Sequence, residues 1–116
     1  PGKQLVYFEL GAALITRGDN QEALGVFRKA FELAPGYAEA KLIYLVGAIY
    51  AGDKNLERAL LLEIPENQIV FDGRIVGAYY SVGRKSEVIA LLEERIKLDP
   101  VNVETYREYI RQVLTQ

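Results

Sequence analysis

Apolar residues recur every three or four positions along most of the chain, which is the spacing of helices that turn one side toward a core. The clearest examples are Leu10, Leu14, Ala23, Phe27, Ala30, Ile75, Tyr79, Val88, Leu92 and Ile96. No stretch alternates cleanly between apolar and polar residues, and Ala, Leu, Glu, Lys and Arg dominate the periodic segments. These residues favour helix over strand, so the sequence predicts an all-α fold.

Glycine and proline divide the periodic segments at regular points. Glycine follows one apolar stretch and proline follows the next, at Gly18, Pro35, Gly52, Pro65, Gly83 and Pro100. The glycines are spaced by 34 and 31 residues. Each unit is therefore predicted to be two antiparallel helices joined by a tight turn, in which glycine with positive φ caps the first helix. Asp19 and Glu22 are predicted to form a capping box at the start of the next helix.

The middle unit is shorter than the other two. Gly18 to Pro35 and Gly83 to Pro100 each span 17 positions, whereas Gly52 to Pro65 spans 13. The difference of four is close to one turn of an α-helix, which has 3.6 residues. We therefore expect the second helix of the middle unit to be one turn shorter while presenting the same side inward. The shortening either shapes a partner site or reflects divergence without function.

The last segment, residues 103–115, is predicted to be a further helix that covers the final pair. One stripe of this helix is apolar and consists of Val103, Tyr106, Ile110 and Val113. Its other side is charged, and the three-residue spacing of Glu104 to Arg107 and of Glu108 to Arg111 predicts surface ion pairs rather than a catalytic carboxylate pair. A polar outer side is typical of the end of a repeat array.

The first unit carries a motif formed by Tyr7, Leu10, Gly11, Leu14, Gly18, Ala23, Phe27, Ala30 and Pro35. This motif resembles the tetratricopeptide repeat, a helical hairpin of about 34 residues. The third unit departs from it at Asp72, Val76 and Arg95, and the middle unit departs at Lys41, Tyr44 and Leu45. The resemblance implies a right-handed helical-hairpin solenoid with three repeats at about 4–37, 38–68 and 69–102. With the capping helix, these are predicted to form a single domain over residues 1–116.

Composition excludes several function classes. The 116 residues include no His and no Cys, so a Cys-His or Ser-His-Asp nucleophile system and an ordinary zinc site are impossible. We therefore predict no enzymatic activity, no metal and no cofactor. The 14 basic and 16 acidic residues give a net charge of -2, which provides no electrostatic basis for a nucleic-acid partner.

Membrane insertion of this segment is also not predicted. The longest strongly apolar run, residues 42–51, is much shorter than the roughly 20 residues of a membrane span. The segment is therefore expected to be soluble, in either the cytoplasm or the periplasm, and the sequence does not distinguish the two compartments. Because the chain begins Pro-Gly-Lys-Gln and contains no Met, we expect it to be a piece of a longer protein.

The resemblance to the tetratricopeptide repeat also implies a binding surface, the concave groove lined by the first helix of each pair. By register, the groove residues are Leu5, Phe8, Ala12, Ile15, Leu42, Val46, Ile49, Tyr50, Gly73, Gly77 and Tyr80. The lining is apolar and lacks the Lys, Asn and Arg residues with which related domains grip acidic chaperone tails, so it argues against that function. The segment 42–51 is apolar all round, so it is either core or an exposed patch that binds a partner.

Three functions remain open from the sequence. The first is a protein-interaction scaffold that binds an apolar peptide or helix, with Phe8, Tyr50 and Tyr80 as anchors. The second is homo-oligomerisation through the same surface or the last helix. The third follows from a looser resemblance of the Leu-Leu-Glu-Ile-Pro65 segment and of Arg74 with Ala78-Tyr79-Tyr80 to C-terminal regions of bacterial O-antigen ligase-like and polymerase-like membrane proteins. That resemblance implies a soluble appendage of a bacterial membrane glycan enzyme.

Overall fold

The computed structural model describes residues 2–116, and these contain helices and no strand. The α-helices are α1 Gly2–Thr16, α2 Asn20–Leu33, α3 Ala38–Ala51, α4 Lys54–Glu63, α5 Glu66–Val70, α6 Gly73–Ser81, α7 Lys85–Leu98 and α8 Val103–Leu114, with a short 3-10 helix at Pro100–Asn102. The predicted all-α fold of repeated helical hairpins is therefore confirmed.

The chain divides into two compact units, Pro1–Pro65 with α1 to α4 and Glu66–Gln116 with α5 to α8. In the first unit α2 packs against both α1 and α3, and α3 also packs against α4. In the second unit α7 packs against α5, α6 and α8. The buried core side chains include Leu14, Ala23, Leu24, Phe27 and Leu45 in the first unit and Ile75, Tyr79, Val88, Leu92 and Val113 in the second. The single domain over residues 1–116 stays a prediction.

Three hairpin turns follow the predicted glycine pattern. Gly18, Gly52 and Gly83 have φ values of 85°, 74° and 79°, in the left-handed region that glycine adopts without a steric cost. After each glycine, the next backbone N–H donates to a carbonyl five residues earlier, with N to O distances of 2.8 to 3.0 Å. These bonds satisfy carbonyls at the end of the preceding helix. The predicted glycine caps are confirmed.

The predicted capping box at the start of α2 is wrong. Asp19 precedes α2, but its side chain makes no capping hydrogen bond. Its carboxylate instead forms an exposed ion pair with Arg17, with a distance of 3.2 Å from Arg17 Nη2 to Asp19 Oδ2. The aspartate in the same position before α4 does cap its helix, since Asp53 Oδ1 accepts a hydrogen bond from the N–H of Leu56 at 3.1 Å. The competing cation beside Asp19 gives its carboxylate another partner.

The predicted shortening of the middle unit is confirmed. Helix α4 has 10 residues, whereas α2 and α7, the second helices of the other two hairpins, each have 14. The four missing residues remove about one turn and leave the direction of the inward side nearly unchanged. Leu60 is accordingly buried within α4.

The first helix of the third hairpin is broken, which the sequence analysis did not predict. Helix α5 ends at Val70, and α6 begins at Gly73. Between them, Asp72 caps α6, because its Oδ1 accepts hydrogen bonds from the N–H groups of Arg74 at 2.9 Å and Ile75 at 3.3 Å. Asp72 stands where the first unit has Tyr7. Aspartate is favoured at such a cap and disfavoured within a helix, because its side chain accepts hydrogen bonds from nearby backbone N–H groups.

The last helix covers α7 as predicted. Its apolar stripe faces inward, with Val113 buried and Val103, Tyr106 and Ile110 half-buried. The outer side carries both predicted ion pairs, with 2.8 Å from Arg107 Nη1 to Glu104 Oε1 and 3.0 Å from Arg111 Nη2 to Glu108 Oε2. This side of α8 is therefore charged and exposed.

Candidate protein-binding surface

One side of α1 carries four of the eleven predicted groove residues, and none of the four is fully buried. Leu5, Phe8, Ala12 and Ile15 are spaced by three, four and three residues, so they form one stripe along α1. Leu5 is 57% exposed and Ala12 is also exposed, whereas Phe8 and Ile15 are half-buried. We refer to these four residues as the α1 groove face. It is apolar and accessible along nearly the full length of the helix.

The predicted groove residues of α3 are much less accessible. Leu42 and Val46 are each 8% exposed, and Ile49 is 1% exposed. Every residue from 42 to 49 is buried, because α3 packs against α1, α2 and α4. These three side chains therefore offer little surface to a ligand in this structure, and their role in binding stays a prediction.

Tyr50 lies at the end of α3 and is half-buried. Its backbone oxygen accepts a hydrogen bond from Asn20 Nδ2 at 3.1 Å, and the backbone oxygen of Ala51 accepts one from Gln21 Nε2 at 2.9 Å. These two bonds connect the start of α2 to the end of α3. They fix the position of Tyr50 beside the turn of the first hairpin, and its role as an anchor stays a prediction.

The third predicted set lies on one side of α6, in the second unit. Gly73 is exposed, Gly77 is half-buried and Tyr80 is 39% exposed. A methyl group added to either glycine would have no atom within 4 Å. No other helix therefore packs closely against these two glycines, and the space beside them is open. The Tyr80 hydroxyl donates to Gln116 Oε1, and Lys85 Nζ donates to the backbone oxygen of Gln116. The C-terminal residue therefore partly covers the Tyr80 side chain.

Charged groups with shifted pKa values lie outside these apolar surfaces. Burial by itself would raise the pKa of the Asp72 carboxyl, but the hydrogen bonds and the positive charge of Arg74 outweigh it and lower the pKa. Hydrogen bonds from Asn102 and Tyr106 lower the pKa of the Asp99 carboxyl, and the bond to Asp99 raises the pKa of the Tyr106 hydroxyl. These groups stabilise helix ends and turns.

Arg95 is a structural residue whose role the sequence analysis did not recognise. Its Nε donates a hydrogen bond of 2.6 Å to the backbone oxygen of Val70. Val70 is the last residue of α5. Its guanidinium carbon lies 5.9 Å from the centre of the Phe71 ring and 5.8 Å from that of Tyr106. The available signal was a paired departure from the motif, because Asp72 and Arg95 replace the large Tyr7 and the small Ala30 of the first unit.

Residues 2–116 lack the features of two other kinds of site. In that range the structure places no group of three or more acidic side chains where they could hold a metal ion. None of the helices described there has the length and apolar character needed to cross a membrane.

Residues 4–37 match the family model of the tetratricopeptide repeat. The matched segment covers most of α1 and all of α2, and it includes the motif residues Gly11 and Phe27. Together with the repeated helical hairpins, the match supports a tetratricopeptide repeat domain. Such repeats generally mediate protein–protein interaction, and they are typically non-catalytic.

No protein of curated function matches the chain in sequence. The resemblance to C-terminal regions of bacterial O-antigen ligase-like and polymerase-like proteins is not shown by the comparisons and stays a prediction. The absence of nucleic acid among the partners and the absence of enzymatic activity also stay predictions.

Proposed function

We propose that the chain is a non-catalytic protein-interaction module that binds an apolar helix or peptide along the α1 groove face. The observation that supports this proposal most strongly is the accessible apolar stripe of Leu5, Phe8, Ala12 and Ile15 within the matched repeat. Burial of apolar surface is favourable by about 25 cal/mol for each Å² removed from water. A partner that covers this stripe with apolar side chains therefore gains binding energy from the apolar surface that both sides remove from water.

The backbone of the chain favours side-chain recognition over strand addition. Residues 2–116 contain no strand, so the described part of the chain has no sheet edge to which an extended peptide could add. The residues of the α1 groove face are spaced by three or four positions. The apolar residues of an amphipathic helix have the same spacing, so such a helix could pack against this face. We therefore favour a helical partner whose apolar residues follow the same spacing.

The α6 surface of the second unit is a separate candidate contact, independent of the α1 groove face. Tyr80 provides a large aromatic side chain, and Gly73 and Gly77 leave open space beside it. Aromatic side chains often contribute a large share of binding energy at interfaces. If this space receives a partner side chain, Gly77→Ala places a methyl group in it and weakens binding, and that methyl group has no atom of the chain within 4 Å.

A displayed library of random peptides, selected against the full chain, tests the proposal. We expect enriched sequences with apolar residues at intervals of three and four, and we expect Leu5→Glu to weaken the binding of a synthetic copy of one enriched peptide by tenfold or more. Leu62→Glu is the matched control, because Leu62 is 85% exposed and lies on α4 of the same unit. Thermal unfolding followed by circular dichroism confirms that both variants remain folded.

Two outcomes would contradict the proposal. The first is a selection that enriches no apolar pattern. The second is an enriched peptide whose affinity is the same for Leu5→Glu, Leu62→Glu and the unchanged chain. Light scattering over a wide concentration range tests the alternative of homo-oligomerisation, since a mass that rises with concentration and falls back in Leu5→Glu would assign the α1 groove face to a second copy.

A further inference from the structure

The first helix of the third hairpin is broken into α5 and α6, whereas the first helices of the other two hairpins, α1 and α3, are continuous. Helices α5 and α6 begin and end at residues 66 and 81. Counted back from the turn glycines Gly83 and Gly18, residues 67–81 correspond to α1, which has 15 residues. The broken segment therefore has the length of one continuous helix of the kind that the first hairpin forms.

Asp72 is the hinge between the two helices. Its backbone angles are φ −84° and ψ 111°. The φ angle is close to that of an α-helix, and a rotation of ψ by about 150° would bring it to the helical value near −42°. Rotation about one backbone bond therefore moves Asp72 from the cap conformation into a helical one.

Two side chains replace a backbone hydrogen bond that the break removes. In a continuous helix the N–H of Arg74 donates to the oxygen of Val70, four residues earlier. In the structure, the N–H of Arg74 instead donates to Asp72 Oδ1 at 2.9 Å. The Val70 oxygen instead accepts a hydrogen bond from Arg95 Nε at 2.6 Å. Asp72 and Arg95 thus satisfy the donor and the acceptor of the missing bond, and both stabilise the broken form.

A continuous helix would change the position of Val70. Val70 is 1% exposed in the broken form. It lies 13 residues before Gly83, as Leu5 lies 13 residues before Gly18, and Leu5 is 57% exposed on α1. In a continuous helix Val70 would therefore lie on the same side as the α6 surface. The extended stripe would have the spacing of three, four and three residues that the α1 groove face has, and it would consist of Val70, Gly73, Gly77 and Tyr80.

We propose that the third hairpin is a conformational switch between the broken form and a minor form in which residues 66–81 are one helix. The broken form predominates because it buries Ile69 and Val70 and keeps the hydrogen bonds of Asp72 and Arg95. An apolar partner at the α6 surface covers Val70 in the continuous form, so it binds that form more tightly and raises its population. This effect on binding rests on the proposed function, whereas the switch itself does not.

Carbon NMR of the full chain tests the switch without a partner. The Cα chemical shifts of residues 71 and 72 take helical values only in the continuous form, and chemical-exchange saturation transfer measures the population of each form. Asp72→Ala removes the cap, so it is expected to raise the ratio of continuous to broken form by about fivefold. Nuclear Overhauser contacts from Hα of Val70 to the N–H groups of residues 73 and 74 should strengthen with it, because a helix brings residues three and four apart together.

Gly73→Ala shifts the same ratio without removing a hydrogen-bonding side chain. Gly73 is the first residue of α6 in the broken form but lies inside the helix in the continuous form, where glycine is disfavoured. A methyl group added there has no atom within 4 Å, so the variant is expected to fold. We expect a further increase of about fivefold, which adds to that of Asp72→Ala in the double variant.

Asp53→Ala is the matched control, because it removes the same kind of cap from α4. It should leave the Cα shifts of residues 71 and 72 unchanged. The switch is overturned if the double variant Asp72→Ala/Gly73→Ala keeps the shifts of the unchanged chain. It is also overturned if the shifts of residues 66–72 move to random-coil values, because α5 then unfolds instead of extending α6. These measurements need no partner, so the switch and the proposed function fail independently.

Discussion

The ring of Phe27 lies directly on the backbone of Gly11, so that a methyl group at Gly11 would lie 2.1 Å from Phe27 Cε1. The other side of the same ring faces Gly47 of α3, where a methyl group would lie 2.7 Å from Phe27 Cδ2. One aromatic ring from α2 is therefore held between two glycines, one in α1 and one in α3. This contact explains why a helix interior keeps glycine despite its low helix propensity.

Replacing Gly11 with alanine is expected to destabilise the protein by about 1–3 kcal/mol, because the added methyl group overlaps the Phe27 ring and forces the helices apart. This loss exceeds the gain of about 1 kcal/mol that alanine usually brings to a helix. Chemical denaturation measures the change in the free energy of unfolding. The double variant Gly11→Ala/Phe27→Leu should lose less free energy of unfolding than the two single variants lose in sum. The smaller leucine side chain makes room for the methyl group added at position 11.

Gly25→Ala is the control for this prediction. Gly25 lies within α2, and a methyl group added there would have no atom within 4 Å. The change is expected to stabilise the protein by about 0.5–1 kcal/mol through helix propensity alone. Equal effects of Gly11→Ala and Gly25→Ala would show that the Phe27 contact does not restrict Gly11.

Arg95→Ala is expected to destabilise the protein by about 1–2 kcal/mol, because it removes the hydrogen bond to the Val70 backbone oxygen at the end of α5. Arg95→Lys should show most of the loss in free energy of unfolding that Arg95→Ala shows. Lysine lacks the planar guanidinium that lies near the Phe71 and Tyr106 rings. Chemical denaturation measures both losses. Hydrogen exchange should show faster opening of α5 than of α7 in each variant.

Arg107→Ala is the control for Arg95. Its ion pair with Glu104 is exposed to solvent, so its loss is expected to change the free energy of unfolding by less than about 1 kcal/mol. An Arg95→Lys protein as stable as the unchanged chain would show that any cation suffices at this position.

Asp72→Ala is expected to cost about 1 kcal/mol, because the N–H groups at the start of α6 lose their acceptor. The lowered pKa of Asp72 also predicts a pH dependence. A carboxyl whose pKa is lower in the folded state stabilises the fold above its unfolded pKa, near 3.8, and this contribution is lost as the pH falls through the folded pKa. The free energy of unfolding, measured by denaturation at pH 7 and at pH 3, should therefore fall more between these pH values for the unchanged chain than for Asp72→Asn.

The comparison with asparagine separates charge from hydrogen bonding, since asparagine keeps an acceptor oxygen for the same N–H groups. Glu93→Gln changes one exposed carboxylate in α7 and serves as the control for a general effect of charge. If the unchanged chain and Asp72→Asn lose equal stability between pH 7 and pH 3, the Asp72 charge does not contribute to the cap.

Tyr106→Phe is expected to raise the pKa of Asp99 toward its usual value. The Tyr106 hydroxyl donates to Asp99 Oδ2 at 2.8 Å, and this bond favours the ionised carboxylate. The hydrogen bond from Asn102 to the same oxygen remains, so the recovery should be partial. Carbon NMR of the Asp99 carboxyl during a pH titration measures the shift. Tyr109→Phe, on the exposed side of α8, should leave that pKa unchanged.

Much of the fold could be predicted because it depends on local backbone preferences. The glycines at 18, 52 and 83 determine where each first helix ends, and the spacing from Gly52 to Pro65 determines the length of α4. Side-chain competition was harder to predict. Asp19 and Asp53 occupy the same place in their hairpins, yet only Asp53 caps its helix, because Arg17 lies beside Asp19.

The candidate site was predicted less completely than the fold. Register placed Leu5 and Leu42 in the same groove lining, but Leu5 is exposed and Leu42 is buried. Both lie in apolar helices, so their own sequence does not distinguish them. Their accessibility depends on how many helices pack around each one, and α3 has neighbours on more sides than α1.

The sequence by itself determined helical hairpins, the glycine turns, the shorter α4 and the apolar stripes, because these follow from backbone conformation and periodicity within each segment. The tertiary structure decided which stripes are covered. It also decided that Asp72 breaks the third hairpin's first helix and that Arg95 secures the end of α5. These features depend on contacts between residues far apart in the chain, which no local pattern specifies.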